Sequence, residues 1–375
     1  MAGRKRIVFV INSILTGGAE GALATILRAA GDRDVHLVTL DAGPDRRRMP
    51  AVPRHCLGAG GSLAASIRLL DGLLATLKPD LVVSFLVRAN IATAIAGPRH
   101  ARANVLCERM HLGSHLAGRY RGLKLRLLRA LPRLLYPRAD RVLAVSEGVR
   151  DDLVAGFGLP PRLVATIPNG YDLAAIAAAG LRPPAVALPP AFIVAVGRLV
   201  AAKGFALLID AYRAADPALP LLILGEGPLH ADLQARIDAA GLTHHIRLLG
   251  HLDDPFPVVA RAAFLVSASH NEGFPNAIAE AMALARPIVA TDCPSGPAEL
   301  LGAPAAAAGE VVEAPHGLIV PDGDTAALAA ALRRMEAPAI RQRLGAAARA
   351  RLDDFGAEAV AGRYWRLFDA LAAGT

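Results

Sequence analysis

The chain has 375 residues, enough for two domains of ordinary size; 54% are hydrophobic, with alanine prominent, and only 4% are aromatic. Mean hydropathy is +0.39, yet no uninterrupted apolar run approaches the ~20 residues a spanning helix needs, and the richest stretch, 183–196, is broken by four prolines. The net charge of +8 favours anionic partners: nucleic acid, anionic lipid or anionic small molecules.

In chain order, short aliphatic runs alternate with helical ones, the pattern of parallel sheets covered on both faces. Arg4-Lys5-Arg6 leads straight into the strand-like IVFVI, so no cleavable signal is expected and the chain reads as cytoplasmic. Strands are expected at 6–12, 35–40, 80–85, 103–108, 141–146 and 163–168, with helices at 19–30, 62–78 and 146–157. The Ala- and Pro-rich stretch 171–190 has no clear period and reads as a linker. A second series of strands follows at 192–197, 219–225, 246–250, 264–268 and 287–292, then a strand and turn over 317–324. From Thr325 the chain reads as helical, with breaks at Pro338 and Gly356. The domain boundaries expected are 1–185 for the first Rossmann-like domain, 186–355 for the second, and 356–375 for a closing helix.

The cations concentrate in 118–141, GRYRGLKLRLLRALPRLLYPRADR, with eight Arg or Lys against a single acid, Asp140, and interleaved leucines. Such a segment suits the surface of an anionic membrane, or else a core-facing helix with an arginine-rich outer face. Nucleic acid is not expected, because the segment is poor in stacking aromatics, with only Tyr120 and Tyr136 among its leucines. Cys56, Cys107 and Cys293 are odd in number, far apart and without a C-x-x-C pair, so free thiols are expected. His111 and His115 have i,i+4 spacing but no evident third ligand, so no metal site is expected.

Five motifs carry chemistry. The stretch 268–282, ASHNEGFPNAIAEAM, sets Glu272 in a strand-to-helix loop and Glu280 eight residues on, inside the helix. Free N–H groups at a helix start attract anions, and carboxylates beside them accept from hydroxyl groups, so phosphate and polyol are recognised together. In 191–205, AFIVAVGRLVAAKGF, Arg198 and Lys203 follow a buried strand; Arg as a planar fork and Lys as a point charge suit a diphosphate. Thr16-Gly17-Gly18-Ala19-Glu20 lets a backbone approach a ligand closely before a helix. The fourth and fifth are Pro168-Asn169-Gly170 and Cys293-Pro294-Ser295-Gly296-Pro297, with Glu299 behind it.

Taken in chain order, the motifs resemble those of family 4 of the retaining glycosyltransferases, over most of the chain from residue 16 to about 324. Relatives often carry Arg at the positions of Gly21 and Ala298. The resemblance implies the α/β GT-B fold, two doubly wound Rossmann-like domains facing a central cleft, with the last helix packing back on the first. It implies a nucleotide-sugar donor, UDP by default and GDP second, and no cofactor or metal. Arg198 and Lys203 would hold the diphosphate, Glu272 a sugar hydroxyl and Glu280 the ribose, assisted by Gly273, Phe274, Pro275 and Asn276. Gly17, Gly18, Asn169 and Glu299 would line the site, and Glu226, in Gly225-Glu226-Gly227-Pro228, would border the base. His111 would contact sugar or acceptor, or stand as a plain surface histidine.

The expected activity is transfer to a glycan or lipid-linked saccharide in cell-surface polysaccharide or glycolipid synthesis. An epimerase of the same fold is the alternative. A nicotinamide dehydrogenase is disfavoured, because INSILTGGAE lacks G-x-G-x-x-G. A non-catalytic binding module is disfavoured by the intact set of two glutamates and two cations. Basic residues 118–141 would put the protein at the inner face of the plasma membrane.

Overall fold

The computed structural model describes residues 4–15 and 17–374; Thr16 of the glycine loop lies outside them. The chain divides into two compact units, Met1–Gly170 with Ala357–Thr375, and Tyr171–Gly356. The first unit is built on β1 (Arg6–Ile11), β2 (Asp34–Thr39), β3 (Arg54–Cys56), β4 (Leu81–Phe85), β5 (Ala103–Glu108), β6 (Arg141–Ala144) and β7 (Val164–Thr166). They pair in parallel, in the order β3-β2-β1-β4-β5-β6-β7.

Side chains of a strand alternate between the faces of its sheet, and a parallel sheet is buried on both, which is why β1 is apolar almost throughout. On one face Ile7, Phe9 and Ile11 pack with Leu23, Leu27, Trp365 and Phe368. On the other, Val8 and Val10 pack with Leu70, Leu74, Ala89 and Ala92. The helix Ala357–Ala373 thus completes the first unit's core, and its close approach requires Gly170, where a Cβ would come within 2.9 Å of Val360.

The second unit carries β8 (Ile193–Val196), β9 (Leu221–Leu224), β10 (Ile246–Gly250), β11 (Phe264–Ser267), β12 (Ile288–Asp292), β13 (Val312–Ala314) and β14 (Gly317–Pro321). Their order is β10-β9-β8-β11-β12-β14-β13, parallel except for the β13–β14 edge pair.

The stretch 171–190 is not a plain linker. Leu173–Gly180 is a helix, because Asp172 caps it (Oδ1 accepts from Ala175 N–H at 2.9 Å) and alanine has high helix propensity. It belongs to the second unit, where Gly180 packs under Leu284 and Ala260, so the division falls after Gly170 rather than 185. The sequence also hides the helix Val87–His100, whose buried residues run around nearly its whole circumference and leave no amphipathic period.

Residues 118–141 contain the end of the helix Leu112–Arg119, the helix Gly122–Leu135 and a short turn. The core-facing alternative holds only in part: Leu125, Leu128, Leu131 and Leu135 are half-buried along one side of the helix Gly122–Leu135. Pro132 is the only buried residue of Gly122–Leu135, while Leu123, Leu127 and Leu134 are 72%, 60% and 70% exposed. No helix among the described residues is long and apolar enough to cross a membrane.

Candidate functional site

In both sheets the connection direction reverses beside the first strand of the unit, between β1 and β4 and between β8 and β11. Loops leaving the carboxyl ends of strands on either side of such a reversal diverge and leave room for a ligand. In the second unit these are the loops after β8 and β11, and they hold Arg198, Lys203 and Glu272. The loops are cinched together: His270 N–H donates to the Ala202 carbonyl at 2.9 Å. Gly204, at φ +62°, makes this possible, since a Cβ there would lie 1.8 Å from the Ala268 carbonyl oxygen.

Lys203 Nζ donates to Glu272 Oε1 at 2.5 Å, and these side chains are 25% and 10% exposed. Ser269 Oγ donates to the same oxygen at 2.7 Å, and Ser295 Oγ donates to the Glu272 carbonyl at 2.6 Å. Glu272 is therefore held by side chain and by backbone. Arg198 is exposed, and its guanidinium makes no hydrogen bond or ion pair among the described residues. Its loop packs on 225–228: Leu199 N–H donates to the Glu226 carbonyl at 2.9 Å, while the Glu226 side chain is exposed. His270 Nδ1 pairs with Asp322 at 2.6 Å, which raises the imidazole pKa above its usual value.

The helix Asn276–Ala283 begins without a side-chain cap and carries Glu280, half-buried, one turn in. Tyr171 Oη donates to Asn276 Oδ1 at 2.6 Å, and the Phe274 ring lies between those of Tyr171 (6.3 Å) and Phe355 (5.7 Å). Phe274 is thus a packing residue that fixes the turn. Gly273 and Pro275 are buried within it. Gly296, at φ +96°, passes so close to Pro275 that a Cβ would lie 2.7 Å from its Cδ. Behind it, Glu299 opens the short helix Pro297–Leu301. Burial, with Glu272 nearby, pushes the Cys293 thiol up to about 12, so it is inert as a nucleophile.

In the first unit Gly17 caps the helix Gly18–Arg28 in extended conformation, and both glycines are exposed. His111 is not a plain surface histidine. It caps the helix Leu112–Arg119, its Nδ1 accepting from Ser114 N–H at 3.2 Å with Asp152 Oδ2 at 3.7 Å. An accepting Nδ1 puts the proton of the neutral ring on Nε2, which can then donate to a hydroxyl. Asn169 is buried, and its Oδ1 accepts from Arg109, which also donates to Tyr364 Oη at 3.0 Å. Its carbonyl is thus given to the chain's own framework.

The sequence gives no role to Ser269 or to the buried pair Glu108-Arg109, and names Ser295 only as part of its motif. A lone serine in a loop carries no pattern, and burial of a carboxylate is a tertiary fact. Glu108 accepts from Tyr136 Oη at 2.8 Å and from Arg109 N–H at 3.0 Å, and burial raises its pKa to about 7. Among the described residues no three His, Cys, Asp or Glu side chains gather in a group that could hold a metal ion. Cys56, Cys107 and Cys293 are free thiols, the last two buried.

The architecture is GT-B, two Rossmann-like units each with its own doubly wound sheet. Residues 16–175 match the family described as Glycosyltransferase Family 4, and residues 190–337 match Glycosyl transferases group 1. The chain is similar to an N-acetylgalactosamine-N,N'-diacetylbacillosaminyl-diphospho-undecaprenol 4-alpha-N-acetylgalactosaminyltransferase of Campylobacter jejuni, 40% identical over 45% of this chain and 46% of that one. It is also similar to a phosphatidyl-myo-inositol mannosyltransferase of Mycobacterium leprae, 33% identical over 45% of this chain and 44% of that one. The matched segment spans less than half the length of either curated relative. Among solved structures, HepE of Anabaena, in complex with UDP and glucose, superposes with a TM-score of 0.76 at 21% identity, covering 98% of this chain and 100% of HepE. Sucrose-phosphate synthase from Thermosynechococcus elongatus superposes at 0.80 and 21% identity, covering 99% of this chain and 100% of the synthase. These two likenesses concern the fold.

Proposed function

We propose that the protein is a retaining glycosyltransferase that moves a sugar from a nucleoside-diphosphate sugar, UDP-linked by preference, to a glycan or lipid-linked saccharide acceptor. The observation that carries this reading is the junction of Lys203 with Glu272 at the carboxyl ends of β8 and β11, with Arg198 exposed in the same loop as Lys203. Cations there suit the diphosphate, and a carboxylate beside them suits a sugar hydroxyl. Glu280 would take the ribose, and the Glu226 turn would border the base. The glycosyltransferase families matched by both halves of the chain support transfer over epimerisation.

Departure of the diphosphate needs preorganised positive charge, which Arg198, Lys203 and the uncapped helix start at Asn276 supply. Front-face attack lets the leaving phosphate oxygen take the acceptor's proton as the new glycosidic bond forms and the sugar–phosphate bond breaks. With Arg198 and Lys203 neutralising the phosphates, turnover should survive EDTA; activity lost to EDTA and restored by magnesium would end the metal-independent reading. The exposed, leucine-lined basic helix Gly122–Leu135 supports a lipid-linked acceptor in surface-polysaccharide or glycolipid synthesis, with the protein peripheral at the inner face of the plasma membrane.

The deciding experiment is calorimetric binding of UDP, GDP and ADP, without metal, to wild type and Lys203→Ala. Selective UDP binding that the variant weakens is the expected result. If none of the three binds, the donor assignment falls.

A further inference from the structure

Lys203 and Glu272 come from the two loops that flank the β8–β11 reversal, and here each is the other's partner at 2.5 Å. A diphosphate that recruits Lys203 would bring its anionic oxygens within a few ångström of this carboxylate. In a partly buried site such like charges repel strongly, so the ammonium cannot serve both anions without cost. The carboxylate need not collapse when the ammonium leaves: Ser269 Oγ still donates to Oε1, and Ser295 still holds its backbone.

We propose that Glu272 competes with the donor's diphosphate for Lys203. The pair opens for a nucleoside-diphosphate sugar, because a sugar hydroxyl takes the oxygen that Lys203 vacates. It closes again once the sugar has been transferred, displacing the bare nucleoside diphosphate. Glu272 thus sets the preference for nucleotide-sugar over nucleotide, and Ser269 is the positioning residue that keeps its carboxylate aimed while the partner is exchanged. This rests on the transferase reading above.

The test is a cycle of Glu272→Gln, Lys203→Met and the double variant, each titrated with UDP. Glu272→Gln is expected to bind UDP roughly tenfold more tightly than wild type, the scale of one charge-assisted hydrogen bond. In the Lys203→Met background the same change should tighten binding by a clearly smaller factor, since only the direct repulsion between carboxylate and diphosphate is then relieved. Equal tightening in both backgrounds would mean a general field effect and overturn the proposal, as would no tightening at all. Thermal unfolding of the four proteins supplies a readout free of nucleotide: the Tm losses should be non-additive, and additive losses overturn the pair even if wild type binds no nucleotide and the transferase reading fails separately. Ser269→Ala should raise the donor KM while leaving UDP affinity unchanged, and Ser269→Thr should restore it. Equal effects on both ligands would reduce Ser269 to a structural residue.

Discussion

At the scale of single residues, the proposed chemistry of the second unit would depend on charge placed where phosphate charge develops. Removing either cation by Lys203→Ala or Arg198→Ala should lower kcat by ~10²-fold or more, as loss of one oxyanion donor does; steady-state kinetics check this, and near-normal turnover in both would sink the clamp. Glu108 makes a different prediction, about stability. Its carboxyl ionises near 4.5 when solvated and at about 7 in the fold, because burial penalises the charged form. The folded state therefore binds more protons over that window, and the stability contributed below pH 4.5 is lost as pH rises through 7. The wild-type Tm should fall from pH 5 to pH 8 relative to Glu108→Gln, measured by calorimetric scans; parallel pH curves for the two proteins would remove Glu108 as the cause.

At the scale of elements, the helix Gly122–Leu135 stands apart because three of its leucines face outward. Leu123, Leu127 and Leu134 are spaced by four and seven, so they share one face, with Lys124, Arg126 and Arg133 beside them. An apolar row edged with cations fits an anionic lipid surface, where the leucines would enter the interface and the cations would meet headgroups. Changing all three leucines to Ser should abolish co-sedimentation with vesicles containing anionic lipid. Tm should barely change, since exposed substitutions usually cost within about 0.5 kcal/mol. Unchanged sedimentation would dismiss the helix as a docking element. The basic, leucine-rich composition of this segment was legible in the sequence, but it fitted a core-facing helix equally well. Solvent exposure of a leucine depends on what packs over it, which no local pattern records.

At the scale of the whole molecule, two cores are built from one chain, and the first borrows its last helix from the far end. Trp365, the chain's single tryptophan, is buried there: its Nε1–H donates to the Ile26 carbonyl at 2.9 Å, and its ring meets Phe9 and Phe368 at 6.0 and 5.7 Å. Its fluorescence therefore reports the first unit alone, and a single two-state transition should not be assumed. Phe368→Ala, which empties a fully buried site, should destabilise that transition by about 3–5 kcal/mol. UDP binding by the second unit should persist in the variant. Loss of both together would show that the units fold as one.

What the sequence determined by itself was whatever is written locally. The alternation of buried strands and helices, the glycine loop, the Glu272–Glu280 spacing and the Arg198–Lys203 pair are periodicities and short motifs, so they can be read before any fold is known. What only the tertiary structure decided was how residues distant in the chain meet: Lys203 with Glu272 and Ser269, Arg109 with Asn169 and Tyr364, Phe9 with Trp365. It also moved the division from 185 to Gly170, because the capped alanine helix after Asp172 packs beside Ala260 and Leu284. The physical reason is common to all of these. Local propensity acts between neighbours in sequence, whereas burial, ion pairing and desolvation depend on which surfaces the folded chain brings together.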